Sequence, residues 1–268
     1  MPATTARLRT EGLTKAFPAR SGAGDRVSAL EGVEMTIDPG EFVSIVGPSG
    51  CGKSTLFNLL AGLDRPSGGR ILLDGRPADN LLGEIGYMPQ ADLLMPWRTV
   101  LDNTALGLQL NGVKRAEARE RARGEFQRFG LAGFEDVWPS QISGGMRQRA
   151  ALLRTFLAGR EVMLLDEPFG ALDALTRQEM QQWLLRIWQE DRKTILFVTH
   201  DVEEALFLSD RVYVMSGRPG RIELCVEVEL ERPRELERTM TAPEFAELKL
   251  KLIEPLRRAS AAARAEDG

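Results

Sequence analysis

The run Gly47-Pro48-Ser49-Gly50-Cys51-Gly52-Lys53-Ser54-Thr55 constrains this chain more than any other segment. It has the spacing Gly-x4-Gly-Lys-Ser, and it lies between a β-rich stretch, residues 42–46, and a helical pattern, residues 54–63. Strand, glycine loop and helix in that order make a cradle for phosphate. The glycines let successive backbone N–H groups turn toward one anion with no Cβ in the way. The helix N-terminus adds partial positive charge. Lys53 is placed to set a point charge between β- and γ-phosphates, and the Ser54 hydroxyl suits Mg²⁺. Cys51, inside the loop, is expected to supply its backbone N–H rather than its thiol.

The pattern around the loop predicts an α/β chain. Residues 8–17 and 33–37 read as strands on either side of a Gly/Ser-rich loop at residues 21–25. Residues 70–74, 85–88, 162–165, 194–198, 211–215 and 221–230 read as further strands, and residues 173–191 as a helix. Strand-helix-strand alternation predicts a mostly parallel sheet covered by helices. Helix formers dominate residues 99–159, which therefore read as a block inserted between two halves of the core. Within it, the charge-rich residues 114–123 read as a solvated helix face. Near the end, Phe245, Leu248, Leu252, Ile253 and Leu256 recur at helical spacing, and that stripe is expected to pack on the core. The Ala-rich residues 259–268 are expected to fray.

A second apolar run, residues 162–165, closes on Asp166-Glu167. Strand ends in such sheets face the ligand crevice. There Asp166 would hold Mg²⁺ and Glu167 would polarise an attacking water; a helix-cap cluster ahead of Pro168 is the other use of such a pair. His200, the single histidine, follows the strand at residues 194–198 and comes to the same edge, within reach of a γ-phosphate. These residues imply a Mg²⁺-dependent P-loop NTPase.

Composition removes other classes. Lys plus Arg number 35 against 39 Asp plus Glu, which gives a net charge of -4 and no basic surplus for nucleic acid. No run reaches the ~18 apolar residues of a membrane span, and the N-terminus lacks the apolar stretch of a secretory signal. Cys51 and Cys225 have no metal-ligand neighbours in sequence, so a reducing compartment is expected. Any action at a membrane must run through a partner.

Ile142-Ser143-Gly144-Gly145-Met146-Arg147-Gln148-Arg149, at the start of an apolar helix, narrows the choice. It resembles the signature of ATP-binding cassette (ABC) proteins, and the motifs follow that family's order from about residue 8 to residue 230. Ser143, Gly144 and Gly145 form a second anion-binding surface at a helix N-terminus. The resemblance implies two copies paired head to tail, each offering this surface to the other's ATP. Gln90 matches the family's glutamine loop, a sensor of Mg²⁺ and the attacking water; Asp173 matches the loop that touches the opposite subunit; Phe17 matches the aromatic that stacks on adenine. Met146 stands where the family more often has Gln.

The implied architecture is an ABC nucleotide-binding domain over residues 1–230. Its core, residues 1–91 and 160–230, carries a small antiparallel β part; residues 92–159 form the helical insertion, and residues 231–268 a C-terminal helical extension. Residues 94–100, 167–173 and 215–222 resemble the importer subunits for nitrate, taurine and alkanesulfonates, and for thiamine-precursor pyrimidines. That likeness implies transmembrane permease subunits as partners, a solute-binding protein indirectly, and a peripheral place on the cytoplasmic face of the membrane. Met95, Pro96 and Trp97 would meet the permease or fill the insertion's own core. A DNA-repair or chromosome ATPase head is disfavoured, because no long coiled coil separates the phosphate loop from the signature. A small-molecule kinase would leave the signature unexplained.

Overall fold

The computed structural model describes residues 6–18 and 26–266, with side chains to residue 261; the Gly/Ser-rich loop at residues 21–25 lies outside these. The first half contains β1 (Leu8–Pro18), β2 (Arg26–Ile37), β3 (Phe42–Val46), α1 (Lys53–Leu60), β4 (Gly68–Leu73), β5 (Arg76–Pro77) and β6 (Gly86–Met88). Helices α2 (Val100–Thr104), α3 (Leu106–Leu110), α4 (Arg115–Glu125) and α5 (Gly144–Leu157) follow. The second half runs β7 (Val162–Asp166), α6 (Ala174–Asp191), β8 (Thr194–Val198), α7 (Val202–Leu208), β9 (Arg211–Met215) and β10 (Ile222–Glu227). It closes with α8 (Leu236–Met240) and α9 (Pro243–Glu266).

These strands form two sheets. The larger has the order β10-β9-β3-β8-β7-β6, parallel except for the antiparallel edge strand β10. Every residue of β3, β7 and β8 is buried. Burial on both faces is why these strands read as continuous apolar runs rather than alternating ones. One face packs Val43, Ile45 and Leu164 against α1 and the second sheet. The other packs Phe42, Met163 and Phe197 against the helical block and α6. Phe42 anchors that side, its ring 5.7 Å from Trp188 at a steep angle and 5.8 Å from Phe197.

The smaller sheet is antiparallel, in the order β2-β1-β4-β5. Here β2 is a 12-residue strand rather than the short one expected. Its first part hides from a period-2 reading because Gly12 and Gly32 take positive φ (55° and 60°) where the β1–β2 register shifts. Such bulges break the alternation on which strand recognition depends.

In α4, Ala118 and Ala122 are buried beneath the charged side chains. The apolar stripe of α9 packs as expected: Phe245, Leu248 and Leu252 join α7, β9 and β10 in a third cluster. The Ala-rich residues remain helical to Glu266, and Ala259 is buried.

One buried cation ties this C-terminal part to the core. Arg234, 6% exposed, donates to the carbonyls of Leu206, Phe207 and Ser209 at 3.1, 3.0 and 2.7 Å. It also donates to those of Val228 and Leu230, both at 3.3 Å. It thereby satisfies the unpaired carbonyls at the end of α7. Burial pushes its guanidinium down to about 9. Arg232 supports it, donating to the Leu208 carbonyl at 2.8 Å and stacking over Trp188. Arg234→Met should lower the unfolding free energy by about 2–4 kcal/mol in a urea titration, since it strands buried carbonyls. An unchanged midpoint would show that those carbonyls find other partners.

Candidate nucleotide-binding site

The parallel register brings the carboxyl ends of β3, β6, β7 and β8 to one edge. Immediately after them come Gly47, Gln90, Asp166-Glu167 and His200, so residues scattered over more than 150 positions meet there.

The phosphate loop leaves β3 at Gly47, where a Cβ would lie 3.1 Å from the Met215 Cβ and carbonyl. Any larger residue would have to push Met215 and the Cys51 thiol aside. Gly50 and Gly52 take φ of 77° and 104°, and a Cβ on Gly52 would meet Leu30 and the Ala29 carbonyl. Gly52 is the N-cap of α1 and gives it no side-chain cap, and the first turn holds no acidic residue. The N–H groups at that end keep capacity for an anion. Pro48, Ser49 and Thr55 complete the loop, with Ser49 and Ser54 exposed. Lys53 folds back into it: its ammonium donates to the carbonyls of Gly47 and Pro48 at 2.8 and 2.9 Å. Cys51 is buried, and burial raises its thiol despite Lys53 beside it, so the thiol stays protonated. The Cys51 N–H itself donates to the Pro48 carbonyl at 3.3 Å.

Glu167 is the meeting point of the catalytic candidates. Its Oε2 accepts from Gln90 Nε2 at 3.2 Å and lies 3.5 Å from His200 Nδ1. Its backbone sits in the left-handed region, φ 43°, held by its N–H to the Val198 carbonyl at 2.9 Å. A non-glycine residue there is strained, and such strain gathers at functional sites. Asp166, just beneath, is 7% exposed. Burial and the neighbouring Glu167 raise its carboxyl, against the pull of Lys53 and a hydrogen bond from Tyr87. The Tyr87 phenol is pushed up to about 12 by burial and by Asp166. A buried carboxylate with so little compensation fits a cation, and the hydroxyl of Ser54, the amide oxygen of Gln90 and Asp166 are the hard oxygen donors that Mg²⁺ takes.

Ser143 and Asp173 lie in a second patch. Ser143 is exposed and caps the 14-residue α5, accepting from the Met146 N–H at 3.2 Å. That contact uses only the backbone of residue 146 and does not depend on its side chain. Gly144 and Gly145 pack on the start of α6, where a Cβ on Gly145 would lie 3.0 Å from Thr176. Asp173, also exposed, caps α6 through the Thr176 N–H at 3.1 Å, and the Thr176 side chain, followed by that N–H, holds its carboxyl below the usual range. Among the described residues no hydrogen bond or ion pair joins Ser143 to the phosphate loop. Phe17 stands near the end of β1, 40% exposed, with the Lys15 ammonium 5.0 Å from its ring centroid.

Several positioning residues escaped the sequence reading. Arg147 reaches Asp92 at 3.2 Å, and Arg154 donates to the carbonyls of Asp92 and Leu93, both at 2.7 Å. Together they strap the segment after Gln90 to α5. Buried Asn103 holds the Met95 N–H at 2.7 Å and the carbonyls of Met95, Arg98 and Thr99. Leu94 is thereby core, whereas Trp97 stands 72% exposed. Tyr87 carried no signal beyond its place before Gln90. Arg218, which donates to the Gly50 carbonyl at 2.9 Å, lies 168 positions from that glycine.

Residues 30–170 match the ABC transporter family. The chain belongs to that family. It is 43% identical over 252 residues to the taurine import ATP-binding protein TauB of Pseudomonas aeruginosa, covering 92% of this chain and 95% of that one. It is 45% identical over 208 residues to the formylaminopyrimidine import ATP-binding protein ThiZ of Halalkalibacterium halodurans, covering 77% and 81%. A dimeric post-hydrolysis ATP-binding cassette bound to ADP and Pi superposes with a TM-score of 0.73 at 31% identity, over 84% of this chain and all of the other. This ABC protein is therefore an ATPase coupled to transport, built on the α/β cassette fold expected from its motifs.

Asp166→Asn should raise the thermal midpoint of the nucleotide-free protein by about 2–4 °C near pH 7. The folded chain binds the Asp166 proton more readily than the unfolded one. Stability therefore falls as pH rises from the ordinary carboxylate range through the raised value. Asparagine escapes that loss, so the gain should close below the ordinary aspartate value of 3.8. Calorimetry at both ends of the range checks this, and a gain that ignores pH would remove charge burial as its cause.

Proposed function

We propose that two copies of this chain close on two Mg·ATP and that hydrolysis lets them reopen, powering an importer whose pore lies in separate permease subunits. The observation that carries this reading is the placement of Ser143. It presents an exposed, glycine-flanked helix N-terminus that serves no phosphate loop of its own chain. A surface of that kind is complete only when a second copy brings its phosphate loop to it. The dimeric cassette bound to ADP and Pi supports such a pairing.

In the closed pair, the phosphate loop, Lys53 and the N-terminus of α1 hold the phosphates. Phe17 stacks on the base, and the partner copy adds Ser143, Gly144 and Gly145 from the opposite side. Asp173 lies against the other copy. Ser54, Gln90 and Asp166 would hold Mg²⁺, which when bound neutralises charge on the phosphate oxygens. Glu167 orients and polarises the attacking water, with Gln90 and His200 holding its carboxylate. His200 then turns to the γ-phosphate. Water is the acceptor, so phosphate is released rather than transferred to a metabolite.

No helix among the described residues is long and apolar enough to cross a membrane. The chain would sit peripherally on the cytoplasmic face and reach the permease through the segment around exposed Leu93 and Trp97, which Asn103 and Arg154 hold in shape. Movement of Gln90 is passed to that segment directly, since only six residues separate Gln90 from Trp97. The solute is a small sulfonate such as taurine, nitrate or a thiamine-precursor pyrimidine, delivered by a solute-binding protein.

Glu167→Gln should lower turnover by about 100-fold or more and leave an ATP-bound dimer that light scattering detects; a monomer with full activity would remove Glu167 from its role. In the assembled transporter, Ser143→Arg should suppress hydrolysis while ATP binding persists, and unchanged turnover would rule out the shared site. Uptake of taurine, nitrate and formylaminopyrimidine by the reconstituted complex identifies the solute.

A further inference from the structure

Behind Glu167 and His200 lies a polar cluster that the roles above leave unused. Glu204, in the first turn of α7, is 4% exposed, and Gln181, on α6, is 3% exposed. Gln181 Nε2 donates to Glu204 Oε1 at 2.9 Å, and Thr199 lines the same cleft as that carboxyl. Thr199 also accepts from the Asp201 N–H at 3.0 Å, and its own N–H reaches the Ile45 carbonyl at 3.2 Å. Asp201 in turn caps α7 through the N–H groups of Glu203 and Glu204. His200 is therefore flanked by two residues whose positions are fixed from inside the protein.

The cluster continues toward the second patch. Arg177 stands one turn before Gln181 on α6 and donates to the Leu172 carbonyl at 2.8 Å. Arg177, Thr199 and Glu204 line one cleft with Glu167, Phe169 and His200. Leu172 immediately precedes Asp173. Polar groups thus line a path from the Asp173 loop along the first two turns of α6, and hydrogen bonds carry it from Gln181 through Glu204 and Asp201 to Thr199, beside His200.

Burial of these groups is costly for the isolated chain. A carboxyl and a carboxamide in apolar surroundings need every partner they can find, and the Gln181 Oε1 has none among the described residues. Apolar side chains of the same volume would fill this space at least as well. What they could not supply is direction: a hydrogen-bonded network fixes Thr199 in one orientation, whereas packing alone tolerates several.

We propose that Gln181, Glu204 and Thr199 are positioning residues for His200, and that Arg177 links them to the loop carrying Asp173. The proposal rests on the reading of His200 as part of the hydrolytic site. It gives that reading a route: when a second copy presses on Asp173, α6 transmits the displacement through Glu204 to Thr199, and His200 moves with it. The interface and the hydrolytic group would then be set together.

His200 is the single histidine of the chain, so its imidazole gives one set of resonances in a histidine-labelled sample. Two near-isosteric variants, Gln181→Met and Thr199→Val, remove the hydrogen bonds without touching the imidazole. Each should shift or broaden the His200 signals, and each should lower kcat about fivefold to tenfold with the ATP KM within about twofold of the parent. Melting curves establish that each is folded, and either folded variant is sufficient, since Thr199→Val removes one hydroxyl only. A fall in kcat with unmoved His200 signals would overturn the positioning role, as would no change in either. Moved signals with unchanged kcat would keep the positioning role and sink the hydrolytic reading of His200 instead.

Discussion

Parallel pairing of β3, β8, β7 and β6 is the constraint on which the rest of the structure depends. It aligns Phe42 with Ile195, Val162 with Thr194 and Gly86 with Met163, so the strands end at one level. Each strand then releases its functional residues into the same crevice. A one-residue slip of β7 would turn Asp166 over to the opposite face. The fully buried strands make such a slip expensive, because Phe42, Met163 and Phe197 fill one face while Val43, Ile45 and Leu164 fill the other. Core packing is thus what fixes the spacing of the chemistry.

The same arrangement sets charges against one another. Asp166 and Glu167 are adjacent, and the ammonium of Lys53 is turned partly into its own loop. The isolated chain therefore holds an acidic pair with little compensation, next to a cradle of N–H groups with no acid to cap them. On the proposed reading, phosphate and cation would relieve both conditions together. Affinity for the pair of ligands would then grow out of two local costs of folding.

Much of this was legible in the sequence because the residues concerned have narrow physical uses. The β3 run and the loop after it could be bounded to the residue, since five buried apolar positions end abruptly in glycines. The Asp166-Glu167 pair was legible for the same reason. The α9 stripe was visible by its period. Other features depend on contacts that sequence spacing does not report. Asn103 and Arg154 shape the segment after Gln90 only once α2 and α5 lie side by side. Gly12 and Gly32 conceal the start of β2 by interrupting its alternation. Arg234 reads as one more charge in a polar stretch until five carbonyls close around it. Glu204 is equally hidden, because a Glu in the first turn of a helix ordinarily stabilises the helix from its surface, whereas this one turns inward.

The backbone of Glu167 has a consequence for the history a protein like this can record. Its φ of 43° is uncomfortable for glutamate and easy for glycine or asparagine. Heat selection acting alone would favour those two residues and drift away from the carboxylate, gaining rigidity while losing chemistry. On the role proposed for Glu167, an acid persists at such a position through selection on turnover. Position 167 thus works as a marker by which a working lineage could be told from a merely durable one.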